Sequence, residues 1–425
     1  MSPESRITAI QAAIPPEGLF AEKSFLLSPQ PFLISRAFSE QLEKLGHRLL
    51  VFQRACNELY FRSVAGKAPP WIADYLDRGK PPELVERGRR KEHRVELPAI
   101  IRPDLVLTEE GFSIVELDSV PGGIGLTAWL NETYAQFGTH DIIGGARGMI
   151  DGFASIAGDI LISHESATYR PEMKWIARNT GQRVLSAEDP AQFSTLNPRA
   201  PAYRFFELFD LPNLPAQELL DLPSITPPIK AFLEEKLWLA LFWIRPLRDY
   251  WRRELSERHW LELQKRIPYS WIVDPTPLPQ HAVIPGLEIN AWSELALFSQ
   301  KQRDLVLKIS GFSEIGWGSR SVHIGSDLPQ REWEGAVDRA VNDFAHHPWI
   351  LQRFHKGRIV EQPFFDTAAG AVETMRGRVR LCPYYFVIDG RAELRGALAT
   401  IVPADKKLLH GMKDAILAPT AIAPD

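Results

Sequence analysis

The sequence LPAIIRPDLVLT (97–108), EEG (109–111) and FSIVELDSV (112–120) decides the fold. Two apolar runs rich in β-branched residues flank a short polar segment that ends in glycine. This pattern is typical of two antiparallel strands joined by a tight turn. We therefore predict a β-hairpin here, with acidic side chains on both of its strands.

The length of the loop determines which hairpin residues face each other. With a three-residue loop at 109–111, Asp104 faces Glu116 and Arg102 faces Asp118. Side chains two positions apart along a strand share a face, so all four would project from one side. A two-residue loop would instead place Asp104 on the face opposite Glu116.

Three clustered carboxylates, Asp104, Glu116 and Asp118, repel one another unless a cation lies among them. Hard divalent cations prefer oxygen ligands, and proteins usually hold Mg²⁺ with a few carboxylates and nucleotide phosphates. The hairpin therefore indicates a magnesium site. The alternative interpretation is an exposed acidic hairpin in which Arg102 forms one ion pair.

A second candidate site begins at Lys308, near the end of the predicted strand RDLVLKIS, and continues into the loop 310–321. A lysine can contact phosphate oxygens as a point charge, and Arg320 can add a bidentate contact. Backbone N–H groups of a glycine-rich loop can fold over an anion. The candidate contacts in this loop are Ser310, Gly311, Gly316, Gly318 and Ser319. The alternative is a flexible surface loop.

Two further segments favour weaker interpretations. The strand that contains Gln352 and Phe354 can offer backbone hydrogen bonds to a purine edge, although it equally fits a buried strand. Arg378 and Arg380 share one strand face and can clamp a phosphate or a carboxylate. Surface arginines are the alternative for that pair.

The order of apolar patterns and breakers predicts five segments and an overall α/β and α+β class. Apolar residues at helical spacing predict an amphipathic helix from Ser39 to Tyr60. Strand–helix–strand order between 158 and 210 predicts a βαβ unit with parallel strands. The segments are a helical region (1–95), the acidic hairpin with part of the core (96–150), the βαβ subdomain (151–215), a helical connection (216–300) and a nucleotide-binding lobe (301–425).

Composition restricts the classes of function. A net charge of −4 argues against a nucleic-acid-binding surface. The two cysteines, Cys56 and Cys382, have no metal-ligand spacing. No apolar run is long enough to span a bilayer, and the N-terminal residues do not resemble a signal peptide, so we expect a cytoplasmic protein.

Taken together, these motifs resemble the circularly permuted ATP-grasp family that includes glutathionylspermidine synthase. In that family Arg-x-Asp on one strand precedes Glu-x-Asn on the next, with the acids 12 positions apart. Asp104 and Glu116 have this spacing, and Asp118 stands two positions further on. The resemblance implies that these three residues hold Mg²⁺ and that Arg102 contacts phosphate or the reacting carboxylate.

The order of the motifs also fits the permuted family, because the acidic hairpin precedes Lys308 by some 200 residues. The resemblance implies an ATP-grasp fold with a βαβ subdomain ahead of the nucleotide-binding lobe. It implies that Lys308 and its loop bind the nucleotide phosphates. Gln352 to Phe354 would correspond to the adenine hinge, and Arg380 to a late phosphate-binding arginine.

This sequence departs from the family pattern at two points. Asp118 stands where the family has Asn, and Asp-Ser-Val-Pro-Gly-Gly (118–123) replaces Asn-Ala-Asp-Thr-Pro. The first change keeps an oxygen ligand, and the second puts the identity of the acceptor substrate in question. The N-terminal region has no cysteine-peptidase signature, so no amidase activity is carried over.

The function that the resemblance implies is ATP-dependent joining of a carboxylate to an amine through an acyl phosphate, with release of ADP and phosphate. ATP and Mg²⁺ would be the cofactors, and an amino acid, a peptide or a polyamine a substrate. The alternatives are an ATP-grasp phosphotransferase and a non-catalytic nucleotide-binding or scaffold protein. We expect neither a nucleic acid nor a membrane as partner.

Overall fold

The computed structural model describes residues 1–19, 24–118, 120–316, 318, 320–409 and 413–424, and these contain twelve α-helices and seventeen β-strands. The helices are α1 (Pro3–Ala12), α2 (Arg36–Val64), α3 (Trp71–Asp77), α4 (Pro82–Arg89), α5 (Ile124–Ala135), α6 (Gly148–Ile156), α7 (Arg170–Thr180), α8 (Ala216–Leu220), α9 (Leu237–Leu241), α10 (Arg248–Leu255), α11 (Glu257–Gln264) and α12 (Gln330–Asn342).

The strands are β1 (Leu26–Leu27), β2 (Phe32–Ile34), β3 (Ile100–Thr108), β4 (Gly111–Asp118), β5 (Asp141–Ile142), β6 (Ile160–Ile162), β7 (Val184–Ser186), β8 (Ala202–Phe205), β9 (Ile225–Thr226), β10 (Ser270–Ile272), β11 (Leu305–Ile309), β12 (His323–Ile324), β13 (Trp349–Arg353), β14 (Ile359–Asp366), β15 (Ala371–Ile388), β16 (Arg391–Pro403) and β17 (Ile416–Ile422).

The chain divides into two compact units that each draw on separate segments. Unit 1 consists of Met1–Leu50, Glu92–Ile229 and Gly357–Asp425. Unit 2 consists of Val51–Lys91 and Lys230–Lys356. The division of the chain into five segments with separate functions, made from the sequence, remains a prediction.

The large sheet of unit 1 is mixed and has nine strands among the described residues. Its main path runs β1-β17-β16-β15-β3-β4, and β14, β2 and β5 pair at its sides. The 18-residue strand β15 pairs antiparallel with β14, β16 and β3. A two-residue hairpin turn joins β15 to β16, since Ile388 pairs with Arg391 and the φ angles of Asp389 and Gly390 are 49° and 75°.

The second sheet of unit 1 confirms the predicted βαβ unit. Its order is β7-β6-β8-β9, and all three pairings are parallel. Helix α7 lies between β6 and β7 in the sequence and ends at Gly181, whose φ of 74° closes the helix in the left-handed conformation. Two parallel strands need such a crossover connection, so strand–helix–strand order in a sequence predicts a parallel pair.

Helices α5, α6 and α7 contribute to the principal core of unit 1. Residues 124–131 of α5 are all buried, so this helix is apolar around most of its circumference rather than along one stripe. The core also includes Tyr203 of β8 and Tyr384 of β15. Ile100 of β3 belongs to the same core, which attaches the acidic hairpin to it.

Unit 2 contains an antiparallel sheet of order β10-β13-β11-β12. Helix α12 buries Trp333, Ala336, Val337 and Ala340, which recur at helical spacing, in the same core as Trp349 of β13. Strand β11 matches the predicted strand RDLVLKIS, and β13 matches the predicted strand that contains Gln352, although β13 ends at Arg353, before Phe354.

The predicted amphipathic helix is also confirmed. Helix α2 extends from Arg36 to Val64, beyond the predicted ends, and buries Leu42, Leu45, Leu49 and Phe52. In the described part of the chain, every helix is too short or too polar to cross a bilayer.

Candidate functional site

The acidic hairpin has a shorter turn than the sequence predicted. Thr108 pairs with Gly111, so β3 and β4 are joined by the two residues Glu109 and Glu110. The prediction of a three-residue loop was therefore wrong. Gly111 has a φ of 132°, which only glycine adopts at little cost.

A β-bulge restores the pairing that this shorter turn would have removed. Leu105 pairs with Ile114, whereas Asp104 pairs with Glu116, so Val115 is an additional residue on β4. Beyond the bulge, Arg102 pairs with Asp118. The predicted facing pairs are thus confirmed, although the bulge rather than the loop produces them.

The structure joins the hairpin side chains into one buried ion-pair cluster with a third strand. Arg102 Nη2 lies 2.8 Å from Asp118 Oδ2 and 3.1 Å from Asp104 Oδ1. Arg380 of β15 approaches from the neighbouring strand, with its Nη1 3.0 Å from Asp104 Oδ2. Asp104 is only 5% exposed. The predicted residue Arg380 therefore belongs to the hairpin cluster.

Burial and charge oppose each other in this cluster. Burial raises the pKa of Asp118, Arg102 lowers it, and the neighbouring acids Glu116 and Asp104 raise it further. Burial alone would lower the pKa of Arg102, but Asp104 and Asp118 outweigh it and hold that pKa well above its usual value. The guanidinium therefore stays charged, and the carboxylates depend on it for neutralisation.

Cys382 extends the cluster on β15. Its thiol donates to Asp104 Oδ1 at 3.4 Å. Burial, with the charge of Asp104, raises the pKa of the thiol to about 12. Cys382 is therefore a buried thiol with negligible thiolate at neutral pH, as expected for an unreactive cysteine.

Whether the hairpin can hold Mg²⁺ depends on the ligand atoms that its side chains offer. Asp104, Glu116 and Asp118 offer only oxygen ligands, which is the chemistry that Mg²⁺ prefers. In this structure, however, Asp118 pairs with Arg102 and Asp104 pairs with Arg380. Over the described ranges, no group of three or more His, Cys, Asp or Glu side chains is arranged to hold a metal ion. The carboxylate oxygens are therefore chemically suitable ligands for Mg²⁺, and the binding of Mg²⁺ by these three residues is a proposal.

The glycine-containing loop after the hairpin, Pro121–Gly125, is tightly packed. Tyr384 donates its hydroxyl to the carbonyl of Gly122 at 2.8 Å, and Arg102 Nη1 lies 3.3 Å from the same oxygen. The carboxylate of Glu172 accepts from the N–H groups of Gly123 at 2.7 Å and Leu126 at 2.9 Å. Glu172 therefore caps the N-terminus of α5 and occupies the position that an anion would take.

Each glycine of this loop makes room for a neighbour. A Cβ atom on Gly122 would lie 2.4 Å from the ring of Tyr169, and one on Gly125 would lie 2.2 Å from the carbonyl oxygen of Glu172. Gly123 has a φ of 85°, and its Cβ would lie 2.7 Å from the hydroxyl of Tyr384. Close packing accounts for all three glycines without a ligand.

Lys308 and Gln352 lie together in unit 2. Lys308 on β11 is only 4% exposed, and its Nζ donates to Gln352 Oε1 at 3.1 Å. Gln352 in turn donates to the hydroxyl of Ser270 at 3.0 Å. Phe354 is half-buried, and its N–H donates to the carbonyl of Asp304. The structure therefore brings two of the predicted nucleotide-binding residues into direct contact.

The loop after Lys308 has a tightly held beginning and an open later part. Ser310 is fully buried, and a Cβ on Gly311 would lie 3.1 Å from the carboxylate of Glu235. Gly316 donates its N–H to the carbonyl of Ser313 at 2.8 Å. Gly318 has a φ of 65°, and no described heavy atom lies within 4 Å of the position of its Cβ.

The other two predicted contacts of this loop are Arg320 and Ser319. The exposed Arg320 donates from Nη1 to the carbonyl of Glu314 at 3.3 Å. Ser319 lies outside the described residues.

Four residues that the sequence did not indicate contribute to these two regions: Glu172 and Tyr384 in unit 1, and Lys80 and Glu235 in unit 2. Lys80 and Glu235 form a buried ion pair across 155 positions of sequence. None of the four lies in a motif, so only their contacts identify them.

No family model matches this chain, and no curated protein matches it in sequence. Among solved structures it is similar to a glutathione synthetase-like effector from Globodera pallida, with a TM-score of 0.57 and 11% identity over 99% of this chain and 97% of that one. A putative γ-glutamylcysteine synthetase from Methylobacillus flagellatus aligns with a TM-score of 0.40 and 14% identity, over 93% of this chain and 91% of that one. The chain thus has a mixed α/β fold similar to that of a glutathione synthetase-like protein.

Proposed function

We propose that this chain is an ATP-dependent carboxylate–amine ligase with a circularly permuted ATP-grasp fold. The observation that carries the proposal is the pairing of Asp104 with Glu116 and of Arg102 with Asp118 on one face of the hairpin. The fold similarity to a glutathione synthetase-like effector supports the same class at the level of architecture alone.

The proposed reaction has two steps. A carboxylate oxygen of the first substrate attacks the γ-phosphorus of ATP, the bond to the bridging oxygen breaks, and ADP leaves. The amine of the second substrate then attacks the acyl phosphate, expels inorganic phosphate and loses a proton, which gives an amide. Catalysis of such a transfer depends mainly on positioning and on stabilisation of developing charge.

Within unit 1, Arg102 and Arg380 would stabilise negative charge on the phosphate and carboxylate oxygens. Arg102 suits this role because its pKa is held well above its usual value. Asp104, Glu116 and Asp118 would hold Mg²⁺, which neutralises phosphate charge when it is bound.

Within unit 2, Lys308 would place its ammonium group against the nucleotide phosphates. The hydrogen bond of Lys308 to Gln352 is made to a neutral oxygen, and a charge-assisted bond to a phosphate oxygen is stronger than a bond of that kind. Gly318 and Arg320 would supply donors from the loop, together with Gly316 once its N–H is released from the carbonyl of Ser313. Closure of the loop would keep water from the acyl phosphate. Gln352 and Phe354 would contact the purine edge.

The first test is Glu116→Ala, with ADP release measured over a panel of amino acids, peptides and polyamines. Turnover should fall by at least roughly 100-fold and should require more Mg²⁺, because a charged ligand is lost. Glu110→Ala, in the exposed turn of the same hairpin, is the matched control. Retained turnover with unchanged magnesium dependence would show that the metal assignment is wrong.

The second test is Lys308→Met, which keeps the volume of the side chain and removes its charge. ATP should bind about tenfold more weakly or worse, measured by calorimetry, because one charge-assisted contact is lost. The exposed Lys301→Met in the same unit is the control. Unaltered ATP affinity of the Lys308 variant would contradict the assigned role.

The dependence of ADP release on substrates separates the three classes of function. A ligase needs both a carboxylate and an amine for full turnover and forms an amide. A phosphotransferase releases ADP with a single acceptor. A non-catalytic protein binds nucleotide and releases no ADP with any pair.

A further inference from the structure

A buried ion pair lies beside the start of the glycine loop in unit 2. Lys80 Nζ is 2.5 Å from Glu235 Oε1, and both side chains are only 1% exposed. Burying two charges costs desolvation energy that their attraction barely repays, so such a pair is weak evidence for a purely stabilising role. Its other contacts therefore indicate what it does.

The second oxygen of Glu235 accepts a hydrogen bond from the hydroxyl of Ser310. That hydroxyl also accepts from the N–H of Leu237 at 2.9 Å. The backbone of Ser310 is held as well, since its N–H donates to Pro348 and its carbonyl accepts from Lys236. Every polar group of Ser310 is thus used inside the protein, at the position where β11 passes into the loop.

The ion pair also shapes the next two residues of the loop. A Cβ on Gly311 would lie 3.1 Å from the Glu235 carboxylate, so a larger residue would push against the pair. Phe312 adopts a φ of 44°, which is costly for a residue with a side chain. The ammonium of Lys80 lies 5.5 Å from the centre of the Phe312 ring, a favourable cation–π distance that helps to hold this conformation.

A further contact holds the loop near Gly316. Lys236 Nζ donates to the carbonyl of Gly316 at 3.1 Å. The segment 234–237 therefore contacts the loop both at its start and six residues later. Between these contacts the loop has a defined path.

The position of Lys80 depends on the residue before it. Gly79 has a φ of 69°, and a Cβ there would lie 2.0 Å from the carbonyl oxygen of His346. Only glycine fits this position, and the N–H of Lys80 then closes a turn on the carbonyl of Asp77 at 3.1 Å. The backbone thereby directs the ammonium group toward Glu235.

We propose that Lys80, Glu235 and Ser310 form an anchor that positions the glycine loop for the polyphosphate of a nucleoside triphosphate. This inference rests on the proposed function and deepens it. Ser310 acts as a positioning residue rather than as the direct nucleotide contact suggested by its sequence context. A loop whose base is already fixed loses less conformational freedom when it closes over phosphates, so it binds them more tightly.

The decisive variant is Ser310→Ala, which removes one hydroxyl and leaves the ion pair in place. We expect the Kd for a non-hydrolysable ATP analogue with Mg²⁺ to rise roughly tenfold, because the hydrogen bond to a carboxylate is lost. Thermal unfolding should move by only a few degrees. Ser313→Ala is the matched control, since the described residues show no hydrogen bond to the Ser313 hydroxyl and only its backbone carbonyl is bonded. An unchanged Kd for Ser310→Ala would overturn the proposal.

Two charge variants test the ion pair itself. Glu235→Gln should weaken nucleotide binding more than Ser310→Ala does, because the buried Lys80 then loses the carboxylate that it contacts. The double variant Lys80→Met/Glu235→Gln removes both charges and should recover thermal stability without recovering nucleotide affinity. Full recovery of affinity by the double variant would mean that the pair has only a structural role.

Limited trypsin digestion separates failure of the anchor from failure of the proposed function. Cleavage after Arg320, followed by mass spectrometry without nucleotide, reports how readily the loop opens. The anchor requires faster cleavage in Ser310→Ala than in Ser313→Ala, and equal rates would overturn it. If the wild-type protein binds no nucleotide, the proposed function and the nucleotide role fall together, whereas faster cleavage in Ser310→Ala still supports the anchor as a feature of the loop.

Discussion

Two glycine-containing loops in this molecule use glycine for different purposes. In the loop Pro121–Gly125 of unit 1, each glycine is required because a tyrosine ring, a tyrosine hydroxyl or a backbone carbonyl occupies the space of a Cβ. In the loop that starts at Ser310 in unit 2, the space around Gly318 is open and only its backbone conformation favours glycine. The first loop is part of a packed core, whereas no described neighbour packs against the position of Gly318 in the second.

The two loops are nevertheless held in place by the same type of residue. A buried glutamate holds each of them, Glu172 in unit 1 and Glu235 in unit 2. Glu172 binds backbone N–H groups directly and caps a helix, whereas Glu235 acts through a serine hydroxyl and is neutralised by a lysine. A glycine-rich segment is therefore a candidate ligand site only where packing does not already require its glycines.

The variant with the largest expected effect is Gly125→Ala, which tests whether packing requires the glycines of the first loop. Its Cβ would meet a backbone carbonyl at 2.2 Å, and neither chain segment can yield without moving α5 or α7. We expect a loss of about 3 kcal/mol or more in the free energy of unfolding, measured with urea. Gly138→Ala, whose Cβ points into open space, should cost only about 1 kcal/mol from its positive φ. Equal costs would refute the packing explanation.

The next largest effect is expected for Glu172→Gln. The amide keeps the shape of the side chain but turns an acceptor into a donor that faces a backbone N–H group. A loss of about 2 kcal/mol in unfolding free energy should follow, because a buried donor is left without an acceptor. The exposed Glu165→Gln in the same unit should change stability by less than about 0.5 kcal/mol. A Glu172 variant as stable as this control would contradict the capping role.

A smaller effect is expected for Gly318→Ala in the open loop. Stability should fall by at most about 1 kcal/mol, since only the left-handed backbone conformation resists the change. If the loop must keep this conformation to bind phosphates, nucleotide affinity should fall about fivefold. Affinity unchanged against wild type would show that this position does not contribute to binding.

The smallest expected change concerns the thiols of the unmodified protein. Cys382 in unit 1 and Cys56 in unit 2 are both buried with raised pKa values, so neither should react with iodoacetamide at pH 8 while the protein is folded. Gly125→Ala should accelerate labelling of Cys382 more than that of Cys56, which peptide mass spectrometry can resolve. Rapid labelling of Cys382 in the wild type would contradict its placement beside Asp104.

Local patterns predicted the regular elements well. Helix α2, the βαβ unit and strands β11 and β13 follow from apolar periodicity and from breakers, which act over a few residues. The short strands β10 and β12 of unit 2 were not predicted. The facing pairs of the hairpin were also predicted, but through the wrong loop length. The bulge at Val115 was not predicted because an apolar residue in an apolar strand carries no mark of its extra position.

The candidate site was less predictable because its contacts join distant parts of the chain. Arg380 contacts Asp104 across 276 positions, and Glu235 contacts Lys80 across 155. Glu172 lies on a helix of otherwise ordinary amphipathic pattern, 49 positions from the glycine that it holds. Sheet order and helix packing determine which distant residues come into contact. Neither can be read from the local patterns of a single sequence.

The bulge at Val115 has a consequence for how relatives of this hairpin should be recognised. Between the turn and the bulge, each pair joins an even-numbered residue to an odd-numbered one, as in Thr108 with Gly111. Beyond it, even faces even, as in Asp104 with Glu116. Deleting Val115 would leave these facing pairs intact and shorten the spacing from 12 to 11, whereas deleting one turn residue would shift every pair. The four pairs between the turn and the bulge place the acids opposite each other, whatever their spacing in sequence, so a homologue with acids 11 apart can carry the same face.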